Sequence, residues 1–219
     1  MNVASPNRIC AALLALALLS VTAGCGEGAA EAGGSSTAQP AAKVCPAKWK
    51  PGWQRIADKT QAVVYCPTWM PAPLTGELTP GMNYGGAGGP IVSISKDRSY
   101  LASLIWFETG TGEIHVNFRG FPGTTKIPRC PDTEIVDGKV FRHQIACFAD
   151  PHGTVTENGI TATLYTVNQG ADQWHLLLAW HRGNSLYSLS EHVAKPLTYA
   201  QVLANLHHML RSLVIVQPS

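Results

Sequence analysis

The chain has 219 residues, of which 45% are hydrophobic and only 14% charged, with a formal net charge of +2. Length and apolar content exclude a disordered chain and suit a single domain with a buried core. The near-balanced charge, with no basic block or stripe, excludes nucleic acid as a partner.

In chain order, a short polar start carries one positive charge, Arg8, and an apolar run follows from Ile9 to Leu19. Ser20, Val21, Thr22, Ala23 and Gly24 then lead to Cys25. This is the layout of a secretory signal. The run is shorter than the ~20 apolar residues a membrane-spanning helix needs. Thr22-Ala23-Gly24-Cys25 resembles the lipobox of bacterial lipoproteins, with Thr22 standing where Leu is usual. In that family the cysteine thiol receives a diacylglycerol and a signal peptidase cleaves before it. The resemblance implies removal of residues 1–24, with Cys10 among them, and lipid attachment at Cys25. It also implies a cell-membrane location on the extracytoplasmic face. One acyl chain binds a membrane only marginally, whereas two hold durably, because each buried CH₂ contributes ~0.8 kcal/mol.

Residues 25–43 are expected to be the lipidated cysteine and a flexible tether. Gly26 to Lys43 is Gly, Ala and Ser-rich without an aromatic residue, so it has nothing with which to build a core. No Gly-Lys-Ser/Thr follows its glycines, so it is not read as a phosphate loop. Losing Arg8 from 16 basic residues leaves 15 against 14 acidic ones in the mature chain.

Residues 44–219 are expected to form one extracytoplasmic α+β domain. Its four cysteines, Cys45, Cys66, Cys130 and Cys147, form an even set in an exported chain and point to two disulfides. Three pairings are open. Proximity in sequence favours Cys45–Cys66 and Cys130–Cys147, with a bulge or loop position absorbing the offset of the second pair about Asp137-Gly138. A zinc site would want Cys-x-x-Cys spacing, which is absent.

A short helix is expected around Trp53 to Thr60 and a strand at Ala62 to Tyr65. The prolines of Met70 to Leu74 forbid a helix there, and Tyr84 to Pro90 reads as a glycine-rich loop. Strands then follow at Ile91–Ser95, Tyr100–Phe107, Ile114–Phe118, Glu134–Val136, Lys139–Cys147, Thr154–Thr156, Ile160–Val167, Trp174–Trp180 and Ser185–Leu189. A Thr109 to Gly112 turn joins the second and third. Asp137-Gly138 and Asn158-Gly159 favour the positive φ angles of tight hairpin turns. Thr198 and Gln201 form a capping box for a last helix whose apolar face is Val202, Leu206, Met209, Leu210 and Leu213. The expected fold is a curved antiparallel β-sheet, a meander of about seven strands, with the C-terminal helix packed on it and a short N-terminal helix.

The last third combines a strand ending in Trp180, a turn at Arg182-Gly183-Asn184, the strand Leu186-Tyr187-Ser188-Leu189 and the helix ending Met209 to Leu213. Over roughly 45 residues it resembles a domain of unknown function found in Gram-positive lipoproteins and anti-sigma regulators. Those are similar in turn to half-barrel lipoprotein carriers and periplasmic sigma-factor regulators. The resemblance implies a sheet with a concave apolar face able to hold a lipid or peptide, and assigns no functional residue.

Ser93-Ile94-Ser95-Lys96 fits the Ser-x-x-Lys of penicillin-recognising enzymes. It falls on a strand rather than a helix start, and the companion motifs are missing. No Gly-x-Ser-x-Gly or His-Glu-x-x-His occurs. His175 and His181 share a strand region but are separated along it, and His207 and His208 point about 100° apart on a helix, so neither pair makes a ligand set. The carboxylates Glu108, Glu113, Asp150, Glu157 and Glu191 are expected at solvated turns and strand ends. Trp174 and Trp180, with Leu176 and Leu178, are expected to line one strand face. Trp49 and Trp69 are the candidates for exposed ligand contact. No catalytic residue, metal site or cofactor is expected. The functional expectation is a tethered, non-enzymatic binding or sensing domain. It would take an apolar ligand, such as a lipid, or a peptide or envelope protein partner. The alternative is a cell-envelope hydrolase using a serine nucleophile at Ser93.

Overall fold

The computed structural model describes residues 43–79, 90–108, 112–167 and 174–219. These lie in one compact unit. The expected signal, Cys25 anchor and tether up to residue 42 fall outside the described residues. So do residues 84–89 of the glycine-rich loop and 109–111 of the turn before Gly112.

Helix α1 (Lys50–Thr60) starts with a proline in its first turn, where a missing N–H costs nothing. It ends at Gln61, whose left-handed backbone at φ 49° closes the last turn. Its buried residues Trp53, Ile56, Ala57 and Thr60 recur at helical spacing and form a single face. Strand β1 (Val64–Cys66) follows.

The main sheet is built from β2 (Ile91–Ile94), β3 (Tyr100–Glu108), β4 (Gly112–Phe121), β7 (Pro151–Glu157), β8 (Ile160–Val167), β9 (His175–Arg182) and β10 (Ser185–His192). β5 (Arg129–Val136) and β6 (Lys139–Ala146) lie between β4 and β7 in the chain. α2 (Tyr199–Ser212) and β11 (Val214–Val216) close it. The sheet order is β2-β3-β4-β10-β9-β8-β7. It joins two meanders, β2-β3-β4 and β7-β8-β9-β10, along an antiparallel β4–β10 seam that aligns Gly120 with Tyr187. Asp137-Gly138 and Asn158-Gly159 all take positive φ, as their hairpin turns require.

The seven antiparallel strands, the terminal helix and the short first helix match the expected α+β class. Two details differ. The β5–β6 hairpin forms a sheet of its own, with Ile135, Val140 and Phe141 exposed near its tip. A strand not expected from the sequence, β11, follows α2 and pairs with β1. Three residues are too few for a periodic signal, and the partner lies at the far end of the domain.

One face of the sheet carries the main core. Leu104, Val116, Phe118, Leu176, Leu178, Trp180 and Leu189 are buried there against α1, α2 and the β1–β11 pair. Thr198 caps α2 as expected: Gln201 N–H donates to Thr198 Oγ1, and Thr198 N–H donates to Gln201 Oε1. Trp180 lies in this core, but Trp174 precedes β9 at positive φ and is 60% exposed, so it does not share that face.

Both disulfides pair the neighbours favoured by sequence, Cys45–Cys66 and Cys130–Cys147. No bulge is needed for the second. The hairpin register runs unbroken from Val136↔Lys139 to Arg129↔Ala146. Cys147 lies just past β6, where its N–H donates to Pro128 O, so the bridge is a diagonal link. This bridge and the small cluster of Cys147, Phe148, Leu177, Ala179 and Leu186 attach the hairpin to the second sheet face. A closed loop of this size stabilises by ~3 kcal/mol. Replacing Cys130 and Cys147 with serine is therefore expected to strip amide protection from β5 and β6 and leave β3, β4, β9 and β10 protected, as read by hydrogen exchange.

Candidate functional site

Side chains alternate along a strand, so Glu113, His115 and Asn117 of β4 project from the face opposite Ile114, Val116 and Phe118. In β9–β10 the register pairs His192 with His175, and in β4–β10 it pairs Glu191 with Val116, which brings His192 beside His115. One row across β4, β10 and β9 is therefore His115, His192, His175. Cross-strand neighbours stand about 5 Å apart. The imidazole centroids lie 6.3 Å apart for His115–His192 and 5.0 Å apart for His175–His192, and the rings of His115 and His175, two strands apart, lean together to 5.0 Å.

Glu113 completes the group. His192 Nδ1–H donates to Glu113 Oε1, and His115 Nδ1 lies 4.0 Å from the same oxygen. One nitrogen of each of these two histidines and one carboxylate oxygen lie within 4.8 Å of one another. Glu113, His115 and His192 are half-buried, while His175 is buried behind them.

The next row of the face is Ser103, Asn117 and Ser190, all buried. His115 Nε2 lies 2.9 Å from Asn117 Oδ1 and 2.8 Å from Ser103 Oγ. An amide oxygen only accepts, so Nε2 carries the proton. Nδ1 then lies on the side of Glu113, 4.0 Å from Oε1. A buried polar row thus sets the tautomer of a histidine in the row above.

Comparison with family models, curated proteins and solved structures gives no match.

The other candidate residues lie elsewhere. Ser93 is exposed on β2 opposite Leu101, whereas His115 pairs with Ile105. Four residues of strand, ~13 Å, separate the two rows. Trp49 covers Gly76, leaving no room for a Cβ there, and Trp69 stacks on His208 at 3.9 Å. Both rings are half-buried and pack against the main core. His181 Nε2–H donates to Thr125 O, and His207 binds Glu157, which also pairs with Arg211. Those two hydrogen-bond partners hold the Glu157 carboxyl down at about 2.

Two carboxylates depart from the solvated positions expected of them. Glu113 sits within the cluster. Glu191, on the same strand as His192 but on the opposite face, is fully buried under α2. Asn205 Nδ2 donates to its Oε1 at 2.9 Å, while Oε2 has no hydrogen-bond partner. Burial pushes this carboxyl up to about 8, against the pull of the Asn205 bond.

Proposed function

We propose that this protein is a membrane-anchored extracytoplasmic lipoprotein that works by binding, with its ligand site at Glu113, His115 and His192. The observation that carries the reading is the gathering of two histidines and a carboxylate from β4 and β10 on a half-sheltered part of the sheet. The apolar face that a lipid would use is filled by α1, α2 and the β1–β11 pair, which favours a polar ligand. Anchoring rests on Thr22-Ala23-Gly24-Cys25 and the aromatic-free stretch after it. No helix among the described residues is long and apolar enough to cross a membrane. The hydrolase alternative loses support because Ser93 stands apart from the histidine row.

Intact mass spectrometry of protein extracted from membranes tests the anchor. Wild type is expected as a chain starting at Cys25 with diacylglyceryl mass, and Cys25→Ala as a chain without it. Unacylated wild type in the medium would overturn the lipoprotein reading.

A further inference from the structure

We infer that the ligand is a divalent transition-metal ion of the zinc class, held by Glu113 Oε1, His115 Nδ1 and His192 Nδ1. The inference rests on the binding reading above and names the chemistry of that same site.

The donor set is the first argument. Two imidazoles and one carboxylate bind zinc and its neighbours in the transition series, and suit calcium or magnesium poorly. Three protein donors leave a fourth position for solvent or a further ligand. The second argument is spacing. Tetrahedral zinc with bonds of ~2.0–2.1 Å sets its donors about 3.3 Å apart. All three donor atoms lie within 4.8 Å of one another, and the Glu113–His115 separation of 4.0 Å closes with a shift of less than ~1 Å.

The surroundings supply the third argument. A ligating histidine commonly donates its other ring N–H to a fixed acceptor, which sets the tautomer and aims the free lone pair at the metal. His115 has such a support: Nε2–H bonds Asn117 Oδ1, Ser103 Oγ stands beside it, and Nδ1 faces Glu113 Oε1. His175 stacks on His192 with an 11° angle between planes and meets His115 edge-on, so it braces both ligating rings. At His192 the hydrogen bond to Glu113 holds a proton where the metal would sit. On binding, Nδ1 gives up that proton and Nε2 of a neutral ring takes one from solvent, so charge and protons balance.

The decisive experiment uses the mature protein, stripped with chelator and dialysed. Zn²⁺ binding is followed by calorimetry, and ring nitrogens by ¹⁵N-labelled histidine NMR. The expected result is one ion per chain, with coordination shifts at Nδ1 of His115 and His192 and none at the other histidines. His115→Ala and His192→Ala are expected to weaken binding at least 100-fold. Asn117→Ala, which touches no metal, should weaken it by about 10–100-fold. Thermal unfolding of the metal-free variants separates lost binding from lost folding. Wild type that binds Zn²⁺ no better than the His115→Ala/His192→Ala double variant overturns the inference, as do shifts confined to other histidines. An acylated chain without a zinc site would leave the anchor reading standing. A zinc site on an unacylated chain would do the reverse.

Discussion

Trp53→Ala is expected to lower unfolding stability by about 3–5 kcal/mol, the range for truncating a fully buried aromatic ring. Trp53 has no exposed surface, and its ring meets Phe118 edge-to-face at 5.2 Å. Its Nε1–H donates to Gly76 O at 2.8 Å. The alanine variant therefore leaves a cavity between α1 and β4 and removes the donor from a buried carbonyl. Trp53→Phe keeps most of the volume and loses the N–H, so its cost should be less than half as large. Urea denaturation of the three proteins checks the order. A loss below 1 kcal/mol for the alanine variant would mean that α1 does not dock on the sheet as described.

Glu191→Gln should change the pH dependence of stability more than any surface substitution. Burial pushes the folded carboxyl up to about 8, against 4.5 for a solvated glutamate. Between those values the unfolded chain has lost the proton that the folded chain retains. Fewer protons on the unfolded state make stability fall as pH rises. The penalty is absent below about pH 4.5, grows through neutrality and levels off above about pH 8. At ~1.4 kcal/mol per pH unit it reaches a few kcal/mol. Glutamine at this position stays neutral throughout. The stability difference, variant minus wild type, should therefore rise with pH across this window, as read by denaturation at pH 5, 6, 7 and 8. Parallel curves would show that Glu191 ionises as freely as a surface carboxylate. Asn205→Ala removes the hydrogen bond that pulls this carboxyl down and should extend the decline to higher pH.

Much of the framework was legible from the residues. The Asp137-Gly138 and Asn158-Gly159 turns, the Thr198 capping box and the spacing from Val202 to Leu213 are local signals, and each appears as read. The disulfides followed from proximity. Half of the candidate site was legible as well. Glu113-x-His115 on a strand puts both on one face by period alone. A hairpin centred on Gly183-Asn184 sets His175 opposite His192, but the strand was ended at Leu189, three residues short. The other half was not legible. Only the β4–β10 pairing brings His192 beside His115, and no local pattern encodes a partner with five strands between. Glu191 was missed for a related reason. It alternates with His192, and the sheet faces become distinguishable only once α2 is seen to cover one of them.

That pairing also imposes an order on folding. Closing a loop costs more entropy as its length grows, so β3–β4, β7–β8 and β9–β10 can zip up from their turns before β4 meets β10. A chain emerging from its N-terminus leaves the far edge of β4 open until β10 has followed. Such an edge recruits other chains. The histidine cluster does not exist at that stage, because His115 comes from one half and His192 from the other. An ion captured there would cross-link the two halves at the join that forms last, making occupancy a readout of a finished sheet.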